Sequence, residues 1–307
     1  MGLVILCPGQ GAQHVSMFTI LAHDLLAREV IEAASDVVDM DLLRLEETCT
    51  GTQLFENAIA QPLVCAAELG AWRALASRVD VPLAFAGYSI GELAAYGCAG
   101  ALEFTLMLQL ARRRALLMDA CEPARGGMLA LRGLSEEHVN ALCTGRDASI
   151  AIANGDDHFV VGGTRDALDA IARQAIEQGA STAKRLPVSV ISHTAALSEA
   201  ARLFDQVLEE SAARDPDAPV IAGIDGTAID TWFGARTCLA AQLRQAIRWD
   251  LCIESSIERG ATAFFELGPG TSLSRMLQQS HPDIPVRSLA DFRSIDGAAR
   301  WIETAVT

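Results

Sequence analysis

Val81-Pro82-Leu83-Ala84-Phe85-Ala86-Gly87-Tyr88-Ser89-Ile90-Gly91-Glu92-Leu93-Ala94-Ala95-Tyr96-Gly97 is the stretch that decides the fold. Val81 to Ala86 is a short apolar run of the kind that forms a buried strand. Ile90 to Gly97 is rich in Ala, Leu and Glu and predicts a helix. Between them stands Gly87-x-Ser89-x-Gly91. A serine on a sharp strand-to-helix turn, with glycine two residues to each side, is the nucleophile-elbow pattern. The glycines let the chain reverse where a Cβ would clash. Such a turn pushes the serine Oγ into the open at a helix N-terminus, where backbone N–H groups favour a developing negative charge.

A second glycine-rich turn sits near the start. Leu3 to Cys7 predicts a buried strand, and Cys7-Pro8-Gly9-Gln10-Gly11-Ala12-Gln13 follows it as a tight loop that brings backbone N–H groups close to a ligand. Two such loops after parallel strands open at the same sheet edge.

Outward from these, helices are expected over 18–38, over 57–76 with Gln61-Pro62 at its opening, and over 103–120 with Arg112-Arg113-Arg114. From Gly126 the texture changes. Strands are expected at 128–131, 149–153, 158–163 and 183–186, with helices from Ser135 and over 164–178. The order β-α-β-β-α-β predicts a ferredoxin-like unit, inserted near 126–190. Ser192-His193 is expected to begin a helix through Val207. A loop at 215–219, a strand at 220–224, a helix at 237–247, a strand at 263–267 and a helix from Thr271 complete the pattern.

The bulk composition sets bounds. The chain has 307 residues, enough for one large α/β domain or a domain with an insertion. Its net charge of −15 argues against nucleic acid or an anionic membrane surface as partner. No apolar run approaches the ~20 residues of a membrane span. Met1 to Cys7 lacks a basic leader region and the Ser or Thr that a myristoylation signal needs. The eight cysteines are scattered without a CxxC pair, as expected of reduced cytoplasmic thiols rather than a disulfide frame or a metal site.

Taken together, Pro8-Gly9-Gln10-Gly11-Ala12-Gln13, Gly87-Tyr88-Ser89-Ile90-Gly91-Glu92, the arginine four before Met118, Val188-Ser189-Val190-Ile191-Ser192-His193, Gln242-Leu243 with Arg248-Trp249, and Glu266-Leu267-Gly268-Pro269-Gly270 resemble the malonyl-CoA:acyl-carrier-protein transacylases. The resemblance covers nearly the whole chain. It implies an α/β-hydrolase-like core, here 1–125 with 191–307, carrying an inserted ferredoxin-like subdomain at 126–190. It also implies an acyltransferase with malonyl-CoA as substrate, no bound cofactor and no metal. The partner is an acyl carrier protein, whose phosphopantetheine-type or phosphoribosyl-dephospho-CoA thiol accepts the acyl group. Most such enzymes have Gly-His-Ser at the elbow, whereas Gly87-Tyr88-Ser89 resembles the transacylase subunit of malonate decarboxylase. On Tyr88, the expected acceptor is that enzyme's carrier, alongside its other subunits. Fatty-acid or polyketide synthesis is the alternative.

Carried residue by residue, the resemblance makes Ser89 the nucleophile. A hydroxyl needs a base at neutral pH. Of six histidines, only His193 lies in a matching motif, and the others keep ordinary structural or surface roles. A backbone carbonyl at Gln242 would orient His193. The oxyanion hole would be the backbone N–H groups of Gln10 and Ile90, where losing one donor costs about 10²–10³ in rate. Arg114 would bind the free carboxylate of malonate. Helical periodicity does not separate Arg113 from Arg114; the spacing to Met118 selects Arg114. A serine esterase or thioesterase shares the elbow but requires an acidic third member and no carboxylate clamp. A non-catalytic carrier-binding subunit is the other rival. Arg125, Arg132, Lys184 and Arg185 are the expected basic patch for carrier docking.

Overall fold

The computed structural model describes residues 2–121, 126–188 and 190–306. Among them run the strands β1 (Leu3–Cys7), β2 (Ala84–Gly87), β3 (Gly126–Arg132), β4 (Ala148–Ala153), β5 (His158–Thr164), β6 (Thr182–Arg185), β7 (Val220–Ile221), β8 (Ala228–Ile229), β9 (Ile247–Arg248), β10 (Ala263–Glu266) and β11 (Val286–Ser288). They form two sheets in a mixed α/β fold, with strand orders β11-β10-β1-β2-β7-β8 and β6-β3-β5-β4-β9.

The larger sheet is parallel apart from its β7–β8 edge. Parallel strands are covered on both faces, which is why β1 is apolar throughout and wholly buried. Strand alternation divides its residues. Leu3, Ile5 and Cys7, with Phe85 and Phe265, pack into the helix layer built from Leu25–Val38, Asn57–Leu75, Ile90–Cys98, Phe104–Ala120 and Ser198–Glu209. Val4 and Leu6, with Ala84, Ala86 and Phe264, face the other way, onto Met128, Ile152 and Val160 of the smaller sheet and onto the helices Trp249–Glu258 and Ser272–Ser280. A third apolar cluster lies between the smaller sheet and the helices Glu136–Cys143 and Arg165–Glu177.

Within 126–185 the order is β-α-β-β-α-β, as the sequence predicts, and its four strands pair antiparallel. The smaller sheet also takes a strand from outside that stretch. β9 pairs in parallel with β4, Ile152 opposite Ile247 and Ala153 opposite Arg248. The expected helix at 237–247 therefore does not exist in that form. It runs Trp232–Ala241, started by Thr231, whose side chain accepts from the Gly234 N–H. Ile247 is then drawn into the sheet.

Two further boundaries differ. The helix expected from Phe18 starts at Leu25, because Asp24 caps it with bonds from Leu26 N and Ala27 N at 3.0 and 3.1 Å. The helix expected from Ser192 starts at Ser198, after a 3₁₀ turn Ala195–Leu197, because His193 holds a left-handed φ of 60°. Pro62 sits inside the helix Asn57–Leu75 rather than at its opening. Among the described residues no helix is long and apolar enough to cross a membrane.

Candidate active site

β1 and β2 are neighbours in parallel, with Cys7 opposite Gly87, so their two glycine-rich loops leave the sheet side by side. The turn after β2 is tight. A Cβ on Gly87 would lie 2.2 Å from the Glu92 nitrogen, and one on Gly91 would lie 2.0 Å from the Cys7 carbonyl oxygen. Ser89, between them, has φ 57° and ψ −115° and caps the helix Ile90–Cys98. A non-glycine residue in such a conformation is strained, and strain of this kind gathers at functional sites. The loop after β1 leans on the same turn, since a Cβ on Gly9 would meet the Tyr88 carbonyl oxygen at 2.9 Å. That brings Gln10 beside the elbow, while Ile90 opens the helix, where N–H groups lack an intrahelical acceptor.

His193 is 2% exposed and faces Ser89, with Nε2 2.8 Å from Oγ. Its Nδ1 lies 2.5 Å from the main-chain oxygen of Gln242. A carbonyl only accepts, so Nδ1 carries the proton and Nε2 presents its lone pair to the Ser89 hydroxyl. The left-handed backbone at His193 is held by its own N–H, which donates to the Leu243 carbonyl at 3.0 Å. Burial, then the charge of Arg114, pushes the His193 pKa down to about 3, opposed by the bond to Gln242. The resting imidazole is therefore neutral.

Arg114 is 1% exposed, while Arg112 and Arg113 beside it are exposed. The structure thus separates the arginines that periodicity could not. Nη1 of Arg114 donates to Gln61 Oε1 at 2.9 Å, and Nη2 reaches Gln242 Oε1 at 3.2 Å and Ser89 Oγ at 3.4 Å. All three acceptors are neutral. Burial pulls the Arg114 pKa down to about 10, with Cys65 and Glu92 acting the other way. A buried guanidinium without an anionic hydrogen-bond partner, one hydrogen bond from a serine Oγ, suits an incoming anion.

Three contributors escaped the sequence reading. Gln61 holds Arg114 from a helix turn that is otherwise apolar, Ala60 to Ala67, and a single amide in such a run was the available signal. The Gln242 side chain, not only its carbonyl, links Arg114 to the Ser89 main-chain oxygen and to Glu92. Glu92 is fully buried. Tyr88 packs edge-on against Trp249, with ring centroids 5.4 Å apart, and its hydroxyl donates to Asn154 Oδ1 at 3.1 Å. No group of three or more His, Cys, Asp or Glu suited to a metal ion stands among the described residues.

The described members of the expected basic patch do not all share one face: Arg132 and Lys184 lie on one side of the sheet and Arg185 on the other. Arg125 lies outside the described residues. Arg185 faces Asp169 at 2.8 Å, on the helix side of the sheet. Lys184, its neighbour in β6, points to the opposite face by strand alternation. Arg132 lies 3.3 Å from His158.

Known proteins resemble this chain in sequence and fold. The malonyl CoA-acyl carrier protein transacylase of Mycobacterium bovis is 31% identical over 301 residues, 97% of this chain and 99% of that protein. The Haemophilus influenzae protein of the same name is 30% identical over 303 residues, 96% and 97% of the two chains. Among solved structures, the malonyl CoA-acyl carrier protein transacylase of Coxiella burnetii superposes with a TM-score of 0.93 at 28% identity, covering 100% of this chain and 98% of that one. A malonyl-transacylase solved in complex with its type II PKS acyl-carrier protein gives 0.92 at 28%, covering 98% and 99%. The family described as acyl transferase domain matches residues 4–296. With that match spanning nearly its whole length, the chain belongs to the acyl transferase domain family and is an acyltransferase.

Proposed function

We propose that this acyltransferase moves malonyl from malonyl-CoA to the thiol of an acyl carrier protein, through a malonyl ester on Ser89. The observation that carries this is the buried Arg114 guanidinium, 3.4 Å from Ser89 Oγ and bonded only to neutral oxygens. A planar fork in a dry site selects an acyl group that brings its own carboxylate. An esterase of the elbow type needs an acid at Nδ1 of its histidine; here a main-chain carbonyl occupies that place.

Malonyl-CoA enters with its carboxylate on Arg114. Nε2 of His193 takes the Ser89 proton as Oγ attacks the thioester carbon. The oxyanion is held by the N–H groups of Gln10 and Ile90. The carboxylate on Arg114 offsets the charge that otherwise opposes an imidazolium, so proton transfer becomes easier once the right acyl group is bound. The tetrahedral intermediate collapses, the C–S bond breaks, and the imidazolium returns its proton to the CoA sulfur. A carrier thiol then enters, gives its proton to His193, attacks the Ser89 ester and leaves as the malonyl thioester, the proton returning to Ser89 Oγ.

Residues 126–190 are best described as an inserted ferredoxin-like subdomain, on an α/β-hydrolase-like core of 1–125 and 191–307. The β-α-β-β-α-β order and the antiparallel pairing support that division. For the acceptor, the comparisons favour an acyl carrier protein of the transacylase kind, the alternative at the level of sequence. The malonate decarboxylase carrier rests mainly on Tyr88. Here Tyr88 joins the elbow to Asn154 and Trp249.

Brief exposure to malonyl-CoA followed by intact-protein and peptide mass spectrometry tests the reading. A malonyl adduct on Ser89, discharged by an acyl carrier protein, is the expected result. Rapid CoA release without adduct or acceptor overturns it. A pH profile adds a second check. With His193 held neutral down to about 3, the acid limb of kcat/KM sits well below the ordinary histidine value. Because Arg114 is part of the cause, Arg114→Leu moves that limb to higher pH, measured with acetyl-CoA as donor. A limb that stays put, or moves down, refutes this electrostatic account.

A further inference from the structure

Glu92 is the third residue of the helix that Ser89 caps, and it is fully buried. Its Oε2 accepts from the Gly223 N–H at 3.1 Å and from Gln242 Nε2 at 3.0 Å. Its Oε1 has no hydrogen-bond partner. Burial raises the Glu92 pKa to about 8, against the pull of Gly223, Arg114 and Gln242. Both donors go to Oε2, so that oxygen acts as the acceptor for Gly223 and Gln242.

The Gln242 amide has a donor end and an acceptor end. Its Nε2 donates to Glu92 and, at 3.1 Å, to the Ser89 main-chain oxygen. Its Oε1 is thereby turned to Arg114 Nη2. The same residue's main-chain oxygen holds His193. Without an acceptor at Glu92, half of what orients the amide is gone. A turned amide would set its NH₂ against the guanidinium, donor facing donor, and push Arg114 off its line to the acyl group.

We propose that Glu92 is a positioning residue for acyl-group preference: through the Gln242 amide it aims Arg114 at the carboxylate of the acyl donor. This rests on the assignment of Arg114 as the carboxylate clamp, and no reacting atom touches Glu92 itself.

The test compares kcat/KM for malonyl-CoA and acetyl-CoA in the full chain. Wild type prefers malonyl; if it does not, the clamp assignment fails first and the inference goes with it. Glu92→Met keeps the volume but offers no hydrogen-bond acceptor comparable to the carboxylate oxygen. It is expected to lower malonyl kcat/KM by about tenfold to a hundredfold, the size of a sub-ångström to 1 Å misplacement, with acetyl changed by less than about threefold. Glu92→Gln restores an oxygen for Gly223 and Gln242 and returns the preference to near wild type. Equal losses for both donors, or no loss, overturn the proposal. So does Glu92→Gln behaving like Glu92→Met. Should Glu92→Met fail to fold, Glu92→Asp, which draws the acid back by one methylene, must show the same fall in the malonyl-to-acetyl ratio; an unchanged ratio there is equally decisive against it.

Discussion

Ser89→Ala abolishes carrier loading, with transfer falling by about 10³-fold or more, since residues of a nucleophile–base unit fail together. The variant removes the one oxygen that lies 2.8 Å from His193 Nε2 and 3.4 Å from Arg114 Nη2. Nothing else in the site replaces it. His193 is neutral and could activate a water, but a water there has no acyl-enzyme to hydrolyse and no fixed position against the thioester. Malonyl-CoA still binds Ser89→Ala, because Arg114 keeps Gln61 and Gln242. The expected signature is therefore retained donor affinity by calorimetry, no malonyl mass increment on the protein, and no malonyl-carrier product. A variant that still loads the carrier at a comparable rate rules out Ser89 as the covalent site.

Arg114→Leu abolishes the preference for malonyl. Charge-assisted bonds contribute about 1.5–3 kcal/mol, which corresponds to roughly tenfold to more than a hundredfold in malonyl kcat/KM. Acetyl transfer has no carboxylate to lose and falls much less. The site also sheds a cation that burial disfavours, while the Gln61 and Gln242 oxygens each lose a donor. These two stability effects oppose each other, so the preference ratio is the diagnostic quantity rather than the melting temperature. Arg114→Lys is expected to fall between, since an ammonium restores the charge without the two parallel N–H groups that match a carboxylate. An unchanged malonyl-to-acetyl ratio in Arg114→Leu shows that another group recognises the acid.

Much of the site was legible because steric demands are local. Gly87, Gly91 and Gly9 occupy places where a Cβ would strike backbone within 3 Å, so the spacing of glycines reports the turns directly. The boundaries that were misplaced follow from nonlocal or conformational causes. Ile247 pairs with Ile152, almost a hundred positions away, which no helical pattern around 237–247 reveals. His193 is left-handed because Leu243 and Gln242 hold it, not because of its sequence neighbours. Glu92 stands in the sequence as the end of a motif and Gln61 as a lone amide in an apolar turn; packing turns both inward. Within the expected patch of Arg125, Arg132, Lys184 and Arg185, the last two part for the opposite reason. Adjacency in sequence is separation in a strand, and the two side chains stand on different faces.

The parallel pairing of β9 with β4 has a consequence for how substrates arrive. The smaller sheet is tied to the larger body by that pairing and by the bond from Tyr88 beside the nucleophile to Asn154 at the end of β4. A lid that swings on a hinge needs few contacts across its cleft. Here the cleft wall carries a strand from each side, so opening it would break sheet hydrogen bonds and pull directly on the elbow. On the proposed function, the arm of the donor, and later that of the carrier, would enter between walls joined by these sheet hydrogen bonds.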